Sequence, residues 1–250
     1  SVGATGNVIM ACVNLIEEVV IKNAAMEPEI VDLCIFLSKL GVVFKGIGTN
    51  ILTIKGLKDY DNVNVSYPII PDRIEAGTFM IASAAAGGEV KFNNINPSHL
   101  TSVIECLEKT GSAIKYDKNS LIIKSNGNIK AYSIKTDVYP GFPTDLQAQW
   151  IALMCKSDGK STVEDTIYLD RFTHVPELIR LGAKIEMTNN IANIKGVKNL
   201  YGANVMSTDI RASASLIIAG IVSHGTTNLS RIYHIDRGYE YIENKLKQVN

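Results

Sequence analysis

Two arginines, Arg171 and Arg237, occupy matching places in this sequence: each follows a strand-like run and precedes a helix-like one. Delivered to one edge, two guanidiniums could clamp a carboxylate or phosphate, because a planar group with five donors matches such oxyanions. Their acidic neighbours, Asp170 and Asp236, fit ordinary surface pairing equally well. Asp145 follows the stiff segment Pro140-Gly141-Phe142-Pro143 and precedes an apolar run. It could cap a helix, or be a carboxylate held rigidly enough to orient or deprotonate a substrate hydroxyl. Thr208-Asp209, with Arg211 two residues on, raises the same choice. Ser1-Val2-Gly3 opens a further apolar run, either as a routine Ser cap or as backbone amides that hold a phosphate, Gly3 allowing close approach. Further arginines, Arg73 and Arg231, lie near these points. His99, His174, His224 and His234 have no metal-ligand spacing, so no metal is expected. His174 and His234 occupy matching turns, where a structural hydrogen bond is expected rather than catalysis. There is no P-loop, dinucleotide fingerprint or nucleophile elbow, and no cofactor is expected.

The elements that must position these residues repeat. Gly41, Gly111 and Gly182 recur at intervals of about 70 residues, each after a basic last helical turn and before a strand-like run. Helix starts near Ser1, Asp72, Asp145 and Asp209 follow a similar rhythm and lead into small-residue-rich apolar helices: Ala4–Leu15, Gly77–Ala86, Ala148–Cys155 and Ala212–Ile221. A short strand comes next, then a second helix opened by Pro28, Pro97 or Pro176, then two closing strands. The unit predicted is βαβαββ, with parallel and antiparallel pairings mixed. Its fold class is α/β (α+β): a pseudo-symmetric assembly rather than a thin solenoid. Tyr67-Pro68-Ile69-Ile70-Pro71 reads as a stiff extended link between domains or as a loop within one.

Bulk composition narrows the partners. Lysine plus arginine (25) balances aspartate plus glutamate (25), so no nucleic-acid or membrane-surface partner is expected and anions must be held by local arginines. The four cysteines, Cys12, Cys34, Cys106 and Cys155, form no C-x-x-C pair and read as small buried hydrophobes in a reducing compartment. No apolar run reaches the roughly 20 residues of a membrane helix. The start of the sequence has neither a charged signal region nor an initiator Met, so a cytoplasmic protein is expected.

Seven strings carry a resemblance: Ser1-Val2-Gly3-Ala4-Thr5, Glu27-Pro28-Glu29-Ile30-Val31-Asp32-Leu33, Pro71-Asp72-Arg73-Ile74-Glu75, Phe142-Pro143-Thr144-Asp145-Leu146-Gln147, Asp170-Arg171-Phe172, Thr208-Asp209-Ile210-Arg211-Ala212, and Tyr233-His234-Ile235-Asp236-Arg237-Gly238-Tyr239. In this order they resemble the C-terminal portion of the UDP-N-acetylglucosamine enolpyruvyl transferases, within the enolpyruvyl transferase family. The resemblance implies inside-out α/β barrel domains: residues 1–69 would end one, incomplete here, and 70–250 would form most of the second, with the active site between them. It implies transfer of enolpyruvyl from phosphoenolpyruvate to the sugar 3-hydroxyl of UDP-N-acetylglucosamine, by addition and then loss of phosphate, at the first committed step of peptidoglycan synthesis. By position, Ser1, Val2 and Gly3 would meet the diphosphate, Asp145 would accept the 3-hydroxyl proton, and Ile167 would lie against uridine. Arg171 and Arg237 would bind the phosphoenolpyruvate anion, and Asp209 and Arg211 would support that site. The family's early Lys-Asn pair and its mobile loop with a catalytic Cys (or Asp) and an Arg are not in this sequence, so this chain alone is expected to be inactive. Two alternatives stay open: a transferase acting on shikimate 3-phosphate, and a non-catalytic nucleotide-sugar binding fragment.

Overall fold

The computed structural model describes residues 1–58 and 64–248. Two compact units make up the chain, one of residues 1–71 with 138–140 and one of residues 72–137 with 141–250. The first contains α1 (Val2–Cys12), β1 (Glu18–Lys22), α2 (Pro28–Lys39), β2 (Val43–Lys45) and β3 (Ile51–Lys55). Its antiparallel sheet has the order β1-β3-β2. Ile9, Ile30, Cys34, Leu37, Leu52 and Ile54 form its core. Ile30, Cys34 and Leu37 of α2 are buried together because residues three and four apart share one face of a helix.

The second unit runs α3 (Arg73–Ala86), β4 (Gly88–Asn93), α4 (Thr101–Lys109), β5 (Ala113–Tyr116), β6 (Ser120–Ser125), β7 (Ile134–Lys135), α5 (Gln147–Cys155), β8 (Lys160–Glu164), α6 (Val175–Arg180), β9 (Lys184–Thr188) and β10 (Ile191–Lys195). It continues with β11 (Leu200–Tyr201), β12 (Asn204–Met206), α7 (Ile210–Ile221), β13 (Ser223–His224), β14 (Asn228–Ser230) and α8 (Ile242–Lys247). The sheet β4-β6-β5 repeats the order of the first unit, and β7-β8-β10-β9 adds a leading strand parallel to β8, which completes the predicted βαβαββ pattern. Gly41, Gly111 and Gly182 have φ of 103°, 105° and 94°, the left-handed region that glycine enters without a Cβ penalty.

Helices α3, α5 and α7 pack on one another inside the second unit. All nine residues of α5 are buried, so small residues must let the helices approach. Gly77 shows the tolerance: a Cβ there would come 2.5 Å from Leu146 Cδ1.

Three of the four expected helix starts are capped as read. Ser1 Oγ accepts from Ala4 N at 3.4 Å. Asp72 Oδ1 accepts from Ile74 N and Glu75 N at 2.7 and 3.0 Å, and Asp209 Oδ1 from Arg211 N and Ala212 N at 2.7 and 2.9 Å. The fourth differs. A 3-10 turn, Thr144–Leu146, precedes α5, and Asp145 does not cap it. Its carboxylate faces two guanidiniums, which outcompete a pair of neutral backbone N–H groups.

Candidate active site

Asp145 is the centre of a charged cluster in the second unit. Arg171 Nη1 donates to its Oδ1 at 2.7 Å and Arg211 Nε donates to the same oxygen at 3.1 Å. All three side chains are half-buried, at 34%, 24% and 22% exposure in that order, so solvent screens the pairing only in part. Burial pushes the Asp145 carboxyl up, but the guanidiniums of Arg211 and Arg171 outweigh it and hold the group below its ordinary value.

Local structure explains how each partner arrives. The Phe142 ring packs edge-on against Trp150 at 5.3 Å, fixing the approach to the Thr144–Leu146 turn. Arg211 sits in the first turn of α7, whose start Asp209 caps. Arg171 lies in the loop after β8, with its Cζ 5.0 Å from the centre of the Tyr168 ring.

That loop is tied down by Asp165, a residue the sequence reading passed over. Asp165 is fully buried. Its Oδ1 accepts from Thr136 Oγ1 at 2.8 Å and from Ile167 N and Tyr168 N at 3.0 Å each. Its Oδ2 accepts from Thr144 Oγ1 at 2.7 Å, next to Asp145. The signal was present: Ser161 and Val163 alternate inward along β8, and Asp165 continues the same face.

The remaining candidates fall in several places. Asp209 serves the cluster indirectly, as the cap of α7; its second oxygen accepts from Thr173 Oγ1 at 3.1 Å. Burial would raise this carboxyl, and the hydrogen bonds from Ala212, Arg211 and Thr173 hold it down instead. The Ile167 side chain is exposed. Arg237 ends a 3-10 helix, Ile232–Arg237, and is exposed. It is not drawn into the Asp145 ion pairs, although Gly238 beside it packs against Ile210 at the start of α7. Ser1, Val2 and Gly3 lie at the start of α1 in the first unit, with open space where a Gly3 Cβ would stand.

His174 is buried and packs against Phe172, with ring centres 6.4 Å apart. Its Nε2 has no hydrogen-bond partner. Among the described residues no group of three or more His, Cys, Asp or Glu side chains could hold a metal ion, and no helix is long and apolar enough to cross a membrane.

Comparison with known proteins agrees with this architecture. The chain is 51% identical over 249 residues to UDP-N-acetylglucosamine 1-carboxyvinyltransferase 2 of Carboxydothermus hydrogenoformans, covering 99% of this chain and 59% of that protein. It is 49% identical over 246 residues to UDP-N-acetylglucosamine 1-carboxyvinyltransferase of Geotalea daltonii, covering 98% and 58% respectively. The chain thus spans less than two thirds of the length of these relatives. Among solved structures, the enolpyruvyl transferase NikO of Streptomyces tendae superimposes with a TM-score of 0.89 at 20% identity, over 99% of this chain and 59% of that one. An EPSP synthase from Acinetobacter baumannii gives 0.69 at 17%, over 99% and 60%; at such identities the likeness speaks for the fold alone. Residues 1–246 match the family described as EPSP synthase (3-phosphoshikimate 1-carboxyvinyltransferase), and the chain belongs to that family.

Proposed function

We propose that this chain is part of a protein that transfers the enolpyruvyl group of phosphoenolpyruvate to the 3-hydroxyl of UDP-N-acetylglucosamine, supplying peptidoglycan synthesis in the cytoplasm. The observation that carries this reading is the 46–51% identity, over nearly the whole chain, to proteins named for that reaction. The geometry of the second unit supports it. The reaction needs a base for a sugar hydroxyl beside cations for a multiply charged anion, and Asp145 with Arg171 and Arg211 supplies both kinds of group.

A carboxylate gripped by two guanidiniums is ionised near neutrality but is a weak base. Arg171 resolves the conflict. When phosphoenolpyruvate draws Arg171 toward itself, Asp145 loses part of its counter-charge and its proton affinity rises as the acceptor hydroxyl arrives. Arg237, exposed and outside the ion pairs, is free to join Arg171 on the anion. In the same reading the amides of Ser1, Val2 and Gly3 hold the diphosphate, Ile167 meets the uracil ring, and Asp209 keeps Arg211 in place. The 250-residue chain by itself is inactive, because part of the cationic set lies in sequence that only the longer protein has.

The test is phosphate release from phosphoenolpyruvate by the full-length protein. UDP-N-acetylglucosamine should support release, the isolated chain should give none, and Asp145→Ala in the full-length protein should lower the rate by about 10²–10⁴-fold. The family description favours shikimate 3-phosphate as the rival acceptor. Turnover with that acceptor in place of the nucleotide sugar would overturn the proposal.

A further inference from the structure

The buried carboxylate of Asp165 has no part in the proposed reaction, yet it fixes two residues that hold Arg171 in addition to Asp145. Arg171 Nη1 donates to Thr144 Oγ1 at 3.4 Å as well as to Asp145. Its Cζ faces the Tyr168 ring, and its main-chain N donates to the Tyr168 carbonyl at 3.2 Å. Asp165 holds both of these residues, Thr144 through Oδ2 at 2.7 Å and the Tyr168 N–H through Oδ1 at 3.0 Å. A hydroxyl has one proton, and a carboxylate can only accept. The Thr144 proton therefore points at Asp165, and the lone pairs of the same oxygen are left to Arg171. Asp165 is anchored in turn: its main-chain N and carbonyl pair with Asn190 at 3.0 and 2.8 Å, and Thr136 Oγ1 donates to its Oδ1.

We propose that Asp165 is a positioning residue for Arg171: it fixes the Thr144 oxygen and the Tyr168 turn between which the guanidinium rests beside Asp145. Arginine has many rotamers, and partners set in advance remove most of them before an anion arrives. The 3.4 Å contact to Thr144 is long for a hydrogen bond, which suits a guanidinium that must leave for the anion and return. Asp165 touches no substrate in this reading. It acts through Arg171, so its loss is felt in the use of phosphoenolpyruvate.

This inference rests on the reading of Arg171 as an anion-binding residue, and Asp165→Asn tests it in the full-length protein. The amide oxygen should face Ile167 and Tyr168, whose N–H groups cannot turn, and the amide nitrogen should face Thr144. The Thr144 proton must then swing toward Arg171, donor against donor. The kcat/KM for phosphoenolpyruvate should fall about 5–50-fold while KM for UDP-N-acetylglucosamine changes less than about threefold. Thr144→Val should show the same selective loss, and Thr144→Ser, which keeps the hydroxyl, should recover all but about threefold of it. In an Arg171→Lys background Asp165→Asn should add little further loss, because the residue it acts through is already altered. Ile194→Val, buried in the same sheet, is the control for general loosening and should leave the constants for both substrates in place. An unchanged kcat/KM for phosphoenolpyruvate, an equal loss with both substrates, or full additivity with Arg171→Lys would overturn the proposal. If Asp165→Asn fails to fold, Thr144→Val and Thr144→Ser are read by the same criteria. If the wild-type protein turns over neither acceptor, the functional reading has failed separately. Nitrogen NMR of the Arg171 guanidinium then decides the positioning role: faster rotation about its Nε–Cζ bond in Asp165→Asn but not in Ile194→Val supports it, and equal rotation refutes it.

Discussion

Four donors converge on the two oxygens of Asp165. Asp165→Asn keeps the shape but converts one oxygen into a donor, so one of the four contacts becomes donor against donor. A loss of about 1–3 kcal/mol is expected in chemical denaturation. Amide exchange at Ile167 and Tyr168, whose N–H groups donate to this carboxylate, should accelerate together. His174 sets a different dependence. Burial pushes its pKa from the usual 6.5 down to about 4, the nearby Asp209 opposing this and Arg171 reinforcing it. Between those values the unfolded chain binds a proton that the folded chain refuses. Stability is therefore intact above pH 6.5 and falls as the pH drops toward 4, by up to about 1.4 kcal/mol per pH unit. His174→Phe should flatten that slope, measured as midpoint against pH. Asp145 and Arg171 were legible as candidates because their neighbours form distinctive strings. Asp165 was legible only as the inward continuation of β8; its partners Thr136 and Thr144, 29 and 21 residues away, were not.

At the scale of elements, the spacing of Gly41, Gly111 and Gly182 announced the repeat because a chain leaving a helix into a strand needs one left-handed residue there. The proline-opened second helices and the caps at Ser1, Asp72 and Asp209 were legible for the same reason, each being a local solution to unpaired N–H groups. At the start of α5 sequence left a cap and a held carboxylate open, because capping propensity is a local statement, whereas the arginines that take Asp145 come from 26 and 66 residues away. Nor could sequence show which small residues are essential. Gly77 is one: on α3 its missing Cβ is filled by Leu146, itself fully buried. Gly77→Ala should cost about 1–3 kcal/mol through overpacking, despite the better helix propensity of alanine. Pairing it with Leu146→Val should recover part of that loss in a double-mutant cycle.

Across the whole molecule the two units are unequal. In the second, α3, α5 and α7 cover one another, and a continuous core runs from Ile74 to Ala219. Among the described residues the first has a small core of nine buried apolar side chains and leaves Val8 and Met10 of α1 at 43% and 52% exposure. The separate cores carry a thermodynamic expectation: two melting transitions in place of one. Stability grows with the surface a unit buries, so the smaller unit should open first and the larger should survive it. Calorimetry on this chain should show two transitions, and Ile54→Ala should lower the first while Leu153→Ala lowers the second. A single cooperative peak shifted equally by both would mean that the units share one folding reaction. With two peaks, each substitution reports on the unit that holds it, and a loss of stability near α1 says nothing about the ion pairs of Asp145.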